Sequence, residues 1–299
     1  MFGAPRSNGR LALMAGVLAV STSGPFFKMA HVSAYAVVFW RTCLAGALAL
    51  GFALLRRRLR LQALREHAGA LALSGILLGA HFLLWVKAFE LTDYASNLIL
   101  LVVQPMFGAL IDARTGRGLP RGAALALSLA ALGLALVAGA DVTLGARALW
   151  GDALSTLAGA MIALFYAASR DARAALPLDA FIGATFSLAS MVALPVALIA
   201  AVPLVDLGAR SWGWIVALVV VTTLGGHGFM NLAARSLSLF AVNLAIVIEP
   251  LLAIAMGALM FGAQLRPLQG IGGIVLSIAV VLGLRASPPS AADAVHAIE

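Results

Sequence analysis

Two histidines stand three residues into a repeated phrase: His81 in LGAHFLLWVKAFE (78–90) and His227 in LGGHGFMNLAARS (224–236). Polar side chains follow each at helical spacing. His81 and Trp85 are four apart and share a helix face, as do His227 and Asn231. Asn97, Leu101 and Gln104 fall at i, i+4 and i+7 on a further face, and Asn243 and Glu249 come after the second phrase. Such groups suit reversible hydrogen bonding to a small polar ligand. They do not suit metal chemistry, because the histidines form no local pair and no cysteine or carboxylate cluster accompanies them. No metal and no cofactor is expected. The glycines follow no GxxxxGK[ST] pattern, so a phosphate loop is not expected either.

Charge and ring chemistry complete the candidate set. Arg41 and Glu249 lie deep inside apolar stretches, where a charge costs at least about 2.5 kcal/mol on membrane-insertion scales. Each needs a partner or water. A structural ion pair is one reading; a coupling or gating role is the other, which Lys28 shares from the end of its stretch. Trp40, Trp85 and Tyr166, with Phe26, Phe27, Phe82, Phe165 and Phe229, suit a ligand with a large apolar body and a small polar head. Interhelical hydrogen bonding, worth about 0.6 to 2 kcal/mol in membranes, is the competing reading for any one buried Asn, Gln or His.

The elements that position these residues follow from composition. Of 299 residues 63% are hydrophobic and 11% charged, with mean hydropathy +1.04. A soluble domain does not carry that much apolar surface. In lipid only helices or closed barrels satisfy the backbone, and long runs of Leu, Ala, Val and Gly lack the alternation of barrel strands. The expected fold is therefore an all-α integral membrane protein. Ten segments have the roughly 20 residues that cross about 30 Å of hydrocarbon: 9–29, 33–55, 68–89, 94–112, 121–140, 149–169, 178–201, 211–234, 240–261 and 266–285. Pro25, Pro105, Pro195 and Pro250 are expected to kink their helices. Gly133, Gly139, Gly270, Gly272 and Gly273 read as close-packing points.

Net charge of +8 does not imply nucleic acid, since the cations sit between the spans. They are sided. With both termini cytoplasmic, fourteen fall inside and five outside, namely Lys28, Lys87, Arg147, Arg210 and Arg266. That asymmetry is the expected mark of topology. Cys43 is the sole cysteine and excludes an intrachain disulfide. Use of 18 arginines against 2 lysines suggests a GC-rich bacterial genome and so an inner membrane.

The repeated phrase extends well beyond the histidines. At an offset of 146, Gly79, His81, Trp85, Ala88, Leu91, Ala95 and Asn97 match Gly225, His227, Asn231, Ala234, Leu237, Ala241 and Asn243. At 145, Gln104-Pro105 matches Glu249-Pro250, and a weaker echo at 142 aligns Gly9, Lys28 and Phe39 with Gly151, Arg170 and Phe181. The expected organisation is a five-helix unit at 1–143, a second at 144–285, and a disordered cytoplasmic tail at 286–299. Five is odd, so the second unit enters the bilayer from the opposite side, an inverted repeat of the kind that alternating-access transporters use.

Ten helices in two such units, a proline late in the fourth and ninth, and a basic loop after the second resemble the drug/metabolite transporter superfamily, within its EamA branch. Through GAHFLLWVKAFE the chain looks most like bacterial aromatic amino acid exporters. The resemblance implies a basket of eight helices around a central cavity, with the fifth and tenth outside. It also implies export of small amphipathic metabolites, aromatic amino acids first. Organic cations or other drugs are the alternative cargo. A membrane-embedded lipid-modifying enzyme is the remaining alternative, but the clustered carboxylates or His/Asp set that it needs are missing, so no enzyme is expected. The partners expected are a small-molecule substrate and the lipid bilayer, and nothing in the pattern requires more than a monomer.

Overall fold

The computed structural model describes residues 6–112, 114, 122–233 and 239–286; within these the side chains of residues 6–8, 109, 112, 231–232, 239–247, 284 and 286 are not described. Among the described residues every regular element is helical: α1 (Arg6–Ser21), α2 (Ser23–Ala30), α3 (Ala34–Leu55), α4 (Leu61–Glu66), α5 (Ala68–Ala88), α6 (Tyr94–Leu100), α7 (Gln104–Asp112), α8 (Ala123–Asp141), α9 (Ala146–Ala168), α10 (Arg170–Ala175), α11 (Leu178–Ile199), α12 (Ala209–Ala217), α13 (His227–Ala233), α14 (Leu239–Phe261) and α15 (Pro267–Ala286). Seven stretches are long and apolar enough to cross a membrane: 9–30, 34–55, 68–88, 123–144, 146–168, 178–199 and 209–230. Shorter apolar helices run over 94–108, 248–261 and 267–283. Side chains such as Leu55, Ile199 and Leu259 are more than four-fifths exposed, as a lipid-facing surface requires.

Three of the windows read as single helices are interrupted, and in two the cause is a proline. Pro105 has no N–H to offer the carbonyl of Leu101, so Gln104 N donates to that oxygen instead and the chain tightens to a 3₁₀ turn over Leu101–Val103. The i, i+4, i+7 face expected for Asn97, Leu101 and Gln104 is thereby rotated out of register at Gln104. Pro25 leaves Ser21 O in the same position, and α1 ends there; Thr22 N turns back to Ala19 O at 3.3 Å. Between α12 and α13, Leu218–Gly226 widens to a π-helix, whose loosened backbone is closed by Thr223 Oγ1 donating to Leu218 O at 2.9 Å. Nothing in the sequence pattern signalled that wide turn. Pro195 and Pro250 lie within helices that continue past them.

Packing pairs the helices closely. α3 and α11 run antiparallel: a Cβ on Gly46 would meet Ser187, and one on Gly183 would meet Leu50. α8 and α15 do the same where Gly133 and Gly272 touch; a Cβ on Gly272 would lie 2.9 Å from Gly133 O and 2.7 Å from Val137 Cγ2. Gly273 meets Ile99 at 3.3 Å, whereas Gly139 and Gly270 have only ordinary or distant neighbours, which corrects their reading as close-packing points. α5 lies against α9 and runs parallel to α11, with Gly75 at Leu188 and Gly79 at Val192. α1 packs antiparallel on α13 and the π segment, through Gly16 at Met230 and Gly226 at Val20.

Candidate functional site

Arg41 is the centre of the arrangement. It projects from the second turn of α3, is 3% exposed, and donates from Nη1 to Ser23 Oγ and from Nε to Thr223 Oγ1, both at 2.9 Å. Its guanidinium lies 4.4 Å from the centre of the Phe82 ring. Ser23 follows directly on the break after α1, and Thr223 belongs to the π-helix. Two irregular backbones therefore present the hydroxyls that hold one buried cation. Buried guanidinium groups need this kind of full hydrogen bonding because desolvation costs several kcal/mol.

Around Arg41 the expected residues converge in part. Glu249, His81 and His227 all lie within electrostatic range of it. His81 Nδ1 sits 2.9 Å from Ala158 O, and a carbonyl only accepts, so Nδ1 carries the proton and Nε2 is the free edge of a neutral ring. The His81 and Trp85 rings are nearly parallel, 7° apart with centroids at 6.2 Å, and Phe82 contacts Phe186, whose ring also meets His227. Tyr166 interacts with Glu249, and Arg173 lies 5.3 Å from its ring centre. His227 and Glu249 are half-buried, and Tyr166 is 37% exposed.

Other expected residues lie apart from the cation or outside the described side chains. Asn97 is fully buried between α5 and α9: its Nδ2 donates to Trp85 O at 3.1 Å and its carbonyl accepts from Ser155 Oγ at 2.7 Å. Two polar atoms there have no hydrogen-bond partner among the described residues, the donor Trp85 Nε1 and the acceptor Asn97 Oδ1. Leu101 and Gln104 are half-buried on either side of the 3₁₀ turn. Trp40 is held at one end of the bundle, donating from Nε1 to Leu204 O at 2.7 Å with its ring against Trp212. Lys28 belongs to the same end, where Nζ donates to Phe89 O at 2.6 Å. Asn231 and Asn243 lie outside the described side chains.

The two ends of the bundle differ. At the Trp40 end, Phe26 meets Trp214 and Trp40 meets Trp212. At the arginine-rich end a groove of about 670 Å³ opens between Phe52, Arg58, Arg60, Pro177, Leu178, Asp179 and Gly228, the last adjoining His227. Arg58 Nη1 stands 3.6 Å from Asp179 Oδ2 across it. Ser23, Thr223 and this groove escaped the sequence reading. A buried arginine implies acceptors, yet hydroxyls are too common along the spans to single these two out.

A helical bundle with lipid-facing flanks and a polar, ring-lined interior defines a multi-pass membrane protein that handles small molecules. The chain belongs to the EamA-like transporter family, whose model matches residues 7–139 and again 149–285. That family lies within the drug/metabolite transporter superfamily and points to carriage of small metabolites across a bilayer, without catalysis. One solved crystal structure matches over 94% of this chain and 99% of its own, with a TM-score of 0.65 at 18% identity, a likeness of fold alone. No match was found among curated proteins.

Proposed function

We propose that the protein exports small amphipathic metabolites, aromatic amino acids first among them, from a bacterial cytoplasm across the inner membrane by alternating access. The observation that carries this reading is Arg41, a buried cation held by neutral hydroxyls rather than by a bonded carboxylate, with Glu249 in range and aromatic side chains beside it. Opposite charges set in one ring-lined space suit a zwitterionic head on an apolar body. Polar groups complete the set: His81 Nε2, the orphaned Trp85 Nε1 and Asn97 Oδ1, with His227, Asn231 and Asn243 as their counterparts along the repeat and Gln104 as that of Glu249. Arg41 is already bonded twice, so a carboxylate gains attraction without a full bidentate clamp, and release stays fast.

The same reading takes the chain as ten transmembrane helices in two inverted five-helix units, 1–143 and 144–285, with both termini cytoplasmic. Support comes from three sides. The family model matches twice, once per unit. Equivalent helices of the two units pack on each other antiparallel, α3 on α11 and α8 on α15, as a pseudo-two-fold in the membrane plane requires. Contacts also recur in pairs, α5 on α9 being answered by α13 and the π segment on α1. The groove at Arg58 and Arg60 then faces the cytoplasm and receives substrate.

Flux measurements in liposomes test the reading. Labelled phenylalanine should move faster than a polar amino acid or an organic cation. Glu249→Gln tests coupling in the same assay: uphill phenylalanine transport driven by a pH gradient should vanish while downhill exchange survives. Transport of the organic cation with no phenylalanine flux overturns the substrate assignment and leaves the family membership standing.

A further inference from the structure

Away from Arg41, at the end of the bundle that holds Trp40, two carboxyl groups meet. Asp141 closes α8 and is fully buried; Asp152 lies in the second turn of α9 and is 5% exposed. Thr92, in the turn before α6, is the hinge between them. Its Oγ1 lies 2.6 Å from Asp152 Oδ1 and 3.0 Å from Asp141 Oδ2. A hydroxyl has one proton to donate. If both acids were ionised, all four carboxylate oxygens would only accept, and one of those two short contacts would set lone pair against lone pair. Asp152 Oδ2 in addition is buried without a partner among the described residues, and Asp141 lies close enough to act on Asp152 electrostatically.

The surrounding charges do not neutralise the pair. Arg266, just before α15, is the cation nearest to it, with Nη1 at 3.7 Å from Asp141 Oδ1 and Nη2 at 3.9 Å from Asp93 Oδ2, so it already serves a third carboxylate. Arg147, in the first turn of α9, is turned aside to Glu90 O at 2.9 Å, and Lys87 is paired with Glu90 at 2.6 Å. Lys28 lies in range of Glu90 and Asp93 rather than bonded to the pair. Gln269 adds no charge: it donates to Asp141 Oδ1 at 3.3 Å and to Ser96 Oγ at 2.9 Å. Asp93 and Asp141 thus share one guanidinium, and none of these cations is bonded to Asp152.

We infer that Asp141, Thr92 and Asp152 form a proton-binding site that holds one proton between two carboxyl groups. The proton resides on Asp152 and is donated to Thr92 Oγ1, whose own proton is donated to Asp141 Oδ2; moving both along the chain transfers the acid to Asp141 with nothing lost. Leaving the site, it passes to water at this end of the bundle. Occupancy fastens the start of α6, through Thr92 and Ser96, to α8, α9 and α15. An empty site places two adjacent negative charges there and loosens that junction. The ligand is a proton, so the site is independent of the cargo assigned at Arg41.

Infrared difference spectra of the protein in lipid nanodiscs, taken between mildly acidic and mildly alkaline buffer, test this together with thermal unfolding. The folded site holds one proton that the two acids of the unfolded chain do not share, so folding takes up a proton and stability must fall as pH rises. The wild type should show a protonated-carboxyl band at neutral pH that disappears in alkali, with a falling Tm. In a Glu249→Gln background, which removes the other acid assigned a proton, Asp152→Asn should remove the band and flatten the Tm profile. Thr92→Val, which keeps both acids and the side-chain shape, should retain a band at shifted frequency, and serves if the first variant does not fold. Absence of the band from wild type at neutral pH, its persistence in folded Asp152→Asn in that background, or an unshifted band in Thr92→Val each overturns the site.

Discussion

At the scale of single residues, Arg41 and Trp85 do different work. Arg41 carries charge that hydroxyls keep in place; Trp85 supplies apolar area beside the parallel His81 ring, and its N–H has no partner among the described residues. Truncating Trp85 to Ala should lower phenylalanine flux roughly 5- to 150-fold, equivalent to about 1–3 kcal/mol of lost stacking and apolar contact. Protein abundance should stay nearly unchanged, and normal flux in the variant would remove Trp85 from the site. Arg41, His81 and Glu249 were legible because a charge or imidazole in an apolar run needs a reason. Thr92, Asp141 and Asp152 were not, since they stand near segment ends where acids and hydroxyls are ordinary. Only their meeting in space makes them unusual.

Among elements, closeness rather than composition decides stability. Gly133 and Gly272 let α8 and α15 approach until a Cβ on either meets backbone. Gly272→Leu should therefore cost about 1–3 kcal/mol or more by overpacking, read as a lower Tm in detergent. Transport per folded molecule should persist, because this pair lies away from Arg41. Some helix bounds were legible to within a few residues from hydropathy alone, as α3, α5 and α11 illustrate. The interruptions were less so. Prolines marked the breaks after Ser21 and at Leu101–Val103, but Pro195 and Pro250 carry the same mark inside continuing helices, and the π-helix at Leu218–Gly226 has no proline at all. Whether a helix yields at a proline depends on what its neighbours offer the freed carbonyl, which is a property of packing.

Over the whole molecule, orientation is the testable quantity. A cysteine introduced beside Arg147 should react with an impermeant reagent from the periplasm, whereas one beside Arg117 should react only after the membrane is opened; reversed labelling would invert the topology. The repeat was legible as an offset in sequence. Under the proposed division into two units, what the offset could not convey is that they differ in shape. The breaks fall after Ser21, at Leu101–Val103 and at Leu218–Gly226, and the segments aligned with them by the offset, α9, α14 and α5, run unbroken. Under the inverted-repeat reading one chain thus displays both conformations of a single unit side by side. Were each unit to take up the shape of the other, the aromatic contacts at the Trp40 end and the groove at the arginine-rich end would change places, and the molecule would be turned inside out. That reversal needs no contact type that is not already present, so the two facings differ in energy only as far as the two half-sequences differ.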